Sequence, residues 1–196
     1  RSMANSLGVD ESGSIFLGPD ASEEAVKTMN LANRRVVAFS THALVSGDLD
    51  GLHQPALALS APVVTGNAGE DGLLTMEEVL GLNLDADWVV LSACNTGAAA
   101  GEGSEALSGL CRAFFYAGTR SVLASMWSVE STSANQLISG IFDAQVSSGM
   151  GRSKALQSSI LALLDGPGMT TGQGQAICSY AHPIFWAPFV LVGDPD

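Results

Sequence analysis

Basic residues are scarce in this chain. Eight Lys and Arg stand against twenty Asp and Glu among 196 residues, a formal net charge of −12. A surface that acidic repels phosphate backbones, which argues against nucleic acid as a partner. It suits a basic substrate or plain solubility. Cysteine is also sparse: Cys94, Cys111 and Cys178 are odd in number and widely spaced. That pattern argues against a disulfide framework and for a reducing compartment, here taken as the cytoplasm. No CxxC and no paired His-Cys spacing occurs, so neither a zinc site nor any other metal or cofactor is expected. The apolar runs fall well short of the roughly 18 residues a membrane span needs. No charged start is followed by a hydrophobic signal segment. Arg1-Ser2-Met3 leads straight into a helical tail, so the chain reads as a piece of a longer protein.

What is present is a globular pattern. Hydrophobic residues make up 46% of the chain, and the length is enough for one sizeable core. Short apolar runs bounded by turn signals alternate with helical periodicity. Strands are predicted over Ser14 to Leu17, Arg35 to Phe39, Ala56 to Ala61, Trp88 to Ser92, Ser121 to Met126 and Phe189 to Val192. Helices are predicted from Glu23 to Leu31 with Ser22 as N-cap, and from Thr75 through Leu80 with Glu77 and Glu78 in the first turn. Further helices are predicted over Ser104 to Tyr116, Ser133 to Val146 and Arg152 to Leu164. Gly118 stands at a left-handed stop position after the third of these. Residues 62–72 and 166–174 read as loops. Strands alternating with helices imply a mostly parallel sheet with helices on both faces, within one domain over residues 1–196. No internal repeat and no linker interrupts it.

In such sheets, sites form at the C-terminal ends of strands. His42 and Cys94 both sit at such ends, and the chain has only three histidines. A thiol is a good nucleophile only as thiolate, and an imidazole beside it both lowers the thiol pKa and returns the proton to a leaving amine. The N–H groups of Ala43 and Cys94 are candidates to hold an oxyanion. Taken alone, a strand-end cysteine is usually a small core filler, and a strand-end histidine usually a satisfied polar residue. Cys111 reads as helix core and Cys178 has no nearby base in sequence.

Four blocks carry a resemblance: FSTHALVSGDLDGL, DGLLTMEEVLGLNLDADWVVLSACNTG, RAFFYAGTRSVLASMWSVE and YAHPIFWAPFVLVGD. In that order and with those gaps the chain resembles the CHAT domain, a caspase-like cysteine peptidase family related to separase, from about Ser14 to Asp194. The resemblance implies a caspase-like three-layer α/β sandwich. It implies a His–Cys dyad on His42 and Cys94, whose separation of 94 − 42 = 52 residues is consistent with the roughly 50 of caspases. It also implies a protein or peptide substrate, and a bacterial parent protein in which upstream helical repeats or a partner regulate the domain. The family's opening strand and helix are truncated here. Where the family commonly has His-Gly, this chain has His42-Ala43; a required positive φ would strain the alanine.

By the same resemblance Ser125, Trp127 and Glu130 are substrate-pocket candidates. Family members often carry two acids after the position of Trp127, and separase has one that receives a basic P1 residue. Here Glu130 is followed by Ser131. Core packing is an equal reading of Trp127, and helix-terminal charge is the slightly better reading of Glu130. Asp48 and Asp50 read as turn residues.

Rival readings are weaker. A glutamine amidotransferase would use His182, but Ile184 stands where its acid should be, and Ser92-Ala93-Cys94-Asn95-Thr96 lacks a glycine elbow. A cysteine phosphatase would need an arginine at Ala100. Residues 149–154 lack the spacing of a phosphate-binding loop. A signalling module that keeps the fold with a weak or inactive dyad is the non-enzymatic alternative.

Overall fold

The computed structural model describes residues 1–92, 102–173 and 175–196, with side chains left out of account over residues 102–107. These residues group into two compact units. One comprises residues 16–128 and 190–193; the other comprises residues 1–15, 129–189 and 194–196.

The larger unit is built on a sheet. Its strands β1 (Val36–Phe39), β5 (Trp88–Leu91), β6 (Ser121–Ser125) and β9 (Phe189–Gly193) lie side by side in the order β1-β5-β6-β9. β1, β5 and β6 run parallel. Every residue of β5 and β6 is buried, and a parallel strand covered on both faces reads as a continuous apolar run. A second, antiparallel sheet is formed by β2 (Ala43–Leu44), β3 (Ala56–Ala58) and β4 (Leu73–Thr75).

Four helices belong to this unit: α2 (Glu23–Thr28), α3 (Pro62–Thr65), α4 (Met76–Leu80) and α5 (Glu102–Tyr116). Ser22 caps α2 by accepting from the Ala25 N–H at 3.1 Å. Thr75 and Glu78 form a reciprocal capping box at α4, which stabilises a five-residue helix that would not persist alone. Leu57, Leu74, Val79, Val89, Leu91, Leu110, Phe114 and Val122 make one core between sheets and helices. Gly118 ends α5 with φ +110°, and a Cβ there would lie 2.2 Å from the Leu84 carbonyl oxygen. The predicted stop is therefore also a point of backbone contact.

One buried charge organises the rim of this unit. Glu23 is only 2% exposed. Its carboxylate accepts from the Asp71 and Gly72 N–H groups and from Lys27. Lys27 also bonds Glu78 at 2.6 Å, so α2, the 71–72 turn and α4 share one network. Burial opposes the Lys27 charge, but these two carboxylates outweigh it and hold its pKa above the ordinary range.

The smaller unit is helical. α6 (Ser131–Ser148) packs on α7 (Arg152–Asp165) and on α1 (Ser2–Ser6). Leu137, Ile141 and Phe142 are buried between them. The approach of α6 to α7 is close: a Cβ on Gly140 would lie 2.5 Å from Ser159 Oγ. Gly149 in the left-handed region ends α6. A hairpin of β7 (Met169–Thr170) and β8 (Ala176–Cys178) follows α7. Among the described residues no helix is long and apolar enough to cross a membrane.

Several sequence expectations are corrected. Residues 14–17 are not a strand: Leu17 is extended, but this stretch joins no ladder among the described residues. Extended backbone alone makes no sheet without a partner. The helix after Ser22 ends at Thr28 rather than Leu31, which instead begins a short 3-10 turn. Residues 62–72 contain α3, opened by Pro62 and closed by Gly66 at φ +76°. Residues 166–174 contain β7. Strands of two or three residues carry too few positions for alternation to show.

Candidate active site

The C-terminal ends of three parallel strands are level. Phe39 of β1 pairs with Leu91 of β5, and Leu91 pairs with Ala124 of β6. The Ser92 N–H donates to the Phe39 carbonyl at 3.0 Å, continuing the ladder by one step. The segment beginning at Ser40 therefore leaves the sheet on one side of Ser92, and β6 runs on through Ser125 on the other. Neighbouring strands are about 4.8 Å apart.

On the first segment, His42 is exposed while its backbone is pinned. The His42 carbonyl accepts from the Ala58 N–H at 2.8 Å, and the Thr41 hydroxyl donates to the Ala58 carbonyl. The imidazole thus projects from a backbone fixed to β3. Ala43 follows as the first residue of β2, opposite Leu57. Because the hydrogen-bonded step of this ladder is His42 with Ala58, Ala43 with Leu57 is the non-hydrogen-bonded step. The Ala43 N–H consequently points away from β3. Its methyl is buried in the core, and no described residue other than glycine has a positive φ. Alanine is accommodated at this position without backbone strain.

On the third segment, Ser125 is buried, and its hydroxyl donates to the Leu91 carbonyl at 3.4 Å. Met126 and Trp127 emerge beyond it, 39% and 43% exposed. Trp127 is not part of the core. Asp48 accepts from the Val45 N–H at 2.8 Å, which gives it the turn role its sequence context implies. Cys94 lies outside the described residues. Among those described, no group of three His, Cys, Asp or Glu could hold a metal ion.

The family model of the CHAT domain matches residues 2–194. The chain belongs to the CHAT domain family. The CHAT domain is a caspase-like peptidase-family domain, and the mostly parallel sheet flanked by helices fits the caspase-like α/β sandwich. No curated protein matches the chain.

The remaining candidate of this CHAT domain, Glu130, is the N-cap of α6 in the smaller unit. One carboxylate oxygen accepts from the Thr132 N–H and the other from the Ser133 N–H, both at 2.8 Å. The second also accepts from the Tyr180 hydroxyl at 3.1 Å. Burial raises the Glu130 pKa, but these donors outweigh it and leave the carboxyl below its usual range. The negative charge is held at a helix N-terminus, where the macrodipole favours it. Nothing in the sequence signals the Tyr180 contact, which spans fifty residues.

The other thiols of the CHAT domain differ in setting. Cys111 is buried in α5, and burial pushes its pKa up to about 11. Cys178 is half-buried in β8. His182 accepts from the Ile184 N–H through Nδ1 at 3.2 Å and caps a short 3-10 turn.

Proposed function

We propose that this CHAT domain is a cysteine endopeptidase whose dyad is His42 and Cys94. One observation supports this above others. The paired positions Phe39 and Leu91 end adjacent parallel strands at the same level, and His42 and Cys94 each follow by three residues. Cys94 stands two residues beyond Ser92, the last described residue before it.

In the proposed reaction His42 takes the Cys94 proton and the thiolate attacks the scissile carbonyl carbon. The carbonyl π electrons move to oxygen. The Ala43 N–H, directed away from β3, is one donor for that oxyanion, and the Cys94 N–H is the second. As the C–N bond breaks, His42 returns the proton to the leaving amine. Water then hydrolyses the thioester with His42 as base, freeing the acid and restoring the thiol. The substrate is a protein or peptide. Regulation by an upstream helical-repeat region or a partner is part of the same proposal.

The test compares Cys94→Ala and His42→Ala with the parent protein on a peptide library. Loss of cleavage in both, with thermal stability nearly unchanged, is the expected result. Full activity in either variant overturns the dyad.

A further inference from the structure

Two turns of the larger unit meet at its surface. The 3-10 turn Gly18–Asp20 lies against the short helix α3. Ser60 ties the turn to the chain that enters α3: its N–H donates to the Ala21 carbonyl at 3.0 Å and its hydroxyl to the Gly18 carbonyl at 2.6 Å. Leu17, which opens the turn, is 57% exposed, and Val63 and Val64 in α3 are 92% and 51% exposed.

Nothing in the fold asks for these side chains. Pro62 and Gly66 suffice to open and close α3, and β-branched residues are poor helix formers. Val63 buries almost none of its surface. A single exposed aliphatic side chain is ordinary, but three on two touching turns make a patch. A local choice that helps neither its element nor the core points to a role outside the fold.

The ground around the patch is acidic. Asp20 lies in the turn itself and is exposed, as is Glu24 in α2. The Glu24 N–H donates to the Glu70 carboxylate at 2.7 Å, and the Asn67 amide, just past α3, donates to the Glu24 carboxylate at 3.2 Å. Residues 36–111 contain no Lys or Arg. Lys27 of α2 is shared among Glu23, Glu70 and Glu78, so one positive charge meets three negative ones. Such ground repels an anionic lipid surface, and it repels a second copy of a chain with net charge −12. It attracts a basic polypeptide.

We propose that Leu17, Val63 and Val64 form a docking face for an amphipathic segment of a partner protein, one that carries bulky apolar side chains flanked by Lys or Arg. The apolar side chains lose water against the two valines and the leucine. The bases lie over Asp20 and Glu24 and set the partner's orientation and its rate of approach. Neither His42 nor Cys94 takes part.

The test uses fluorescein-labelled peptides about 16 residues long, titrated by anisotropy against the intact protein. One is built of Leu and Lys with the leucines along a single helix face. A second has the same composition scrambled around the helix, and a third replaces Lys by Glu on the first pattern. The amphipathic Lys peptide is expected to bind roughly tenfold or more tighter than either of the others. Val63→Ser combined with Val64→Ser removes that advantage, with an unchanged melting curve because neither valine belongs to the core. Asp20→Asn combined with Glu24→Gln weakens binding severalfold and flattens its salt dependence. Leu161→Ser, an exposed position on α7, leaves binding unchanged.

Equal binding of the scrambled peptide reduces the effect to general charge attraction and overturns the proposal. Unchanged affinity in the paired valine variant does the same, as does equal binding of the Glu peptide. Self-association of the parent protein, or its binding to phosphatidylserine vesicles, that the valine variant abolishes gives the face to a second copy or to lipid and also overturns it.

Discussion

The Ser92 N–H donates to the Phe39 carbonyl across the boundary between two parallel strands, at 3.0 Å. This single bond continues the β1–β5 ladder past Leu91, so that Ser92 stands level with the start of the segment toward His42. A slip of one residue would send every side chain of the strand to the opposite face.

Thiol reactivity separates a working dyad from a silent fold. Cys111, with its pKa near 11, carries about one thiolate in ten thousand at pH 7 and stays unmodified in the folded protein. Cys94 beside an imidazole reacts fast near neutral pH, and His42→Ala slows it at least tenfold. Iodoacetamide labelling with peptide mapping reads both. A Cys94 no faster than Cys111 favours the inactive signalling module.

Ala43 tests the oxyanion donor apart from the fold. Ala43→Pro removes an N–H that the β2–β3 ladder does not use, so the ladder bonds of His42 and Leu44 survive. Peptidase turnover falls by about a hundredfold or more, the loss typical of one oxyanion donor. Ala43→Gly keeps the N–H and retains turnover, at a stability cost of about 1 kcal/mol. Steady-state kinetics paired with thermal melts distinguish the two. Equal turnover in both variants removes Ala43 from the site.

Glu130 is expected to stabilise α6 in a pH-dependent way. Its pKa is lowered in the folded state from an ordinary 4.5. A lowered carboxyl contributes stability that is fully present above the unfolded value and is lost as pH falls through the folded one. Glu130→Ala therefore costs about 1 kcal/mol at pH 7, and the difference from the parent shrinks below pH 4.5. Tyr180→Phe removes one donor and costs about 1 kcal/mol. A double-mutant cycle by chemical denaturation gives a coupling if the 3.1 Å contact contributes; additive losses show that it does not.

Gly118 is a backbone requirement. Its φ of +110° and the Leu84 carbonyl 2.2 Å from a built Cβ penalise any side chain. Gly118→Ala is expected to destabilise by more than about 1 kcal/mol, measured by urea unfolding. A neutral effect would mean that the turn after α5 readily relaxes.

The sequence by itself determined the elements that are long or strongly marked. Val89, Val90 and Leu91 form an apolar run that only a doubly covered strand accommodates, and Ser22 and Thr75 announce their helices through caps that act within one turn. It also set His42 shortly after the strand that ends at Phe39, and the four sequence blocks carried the family. These are local signals, complete within a few residues of chain. Tertiary structure decided the rest because the deciding partners are distant in sequence. β2 exists because Ala43 meets Leu57. Glu130 is a helix cap that also holds Tyr180, fifty residues on. Trp127 stands exposed although the same sequence would serve in a core, because only strand register fixes which side chains leave the sheet beside Ser92.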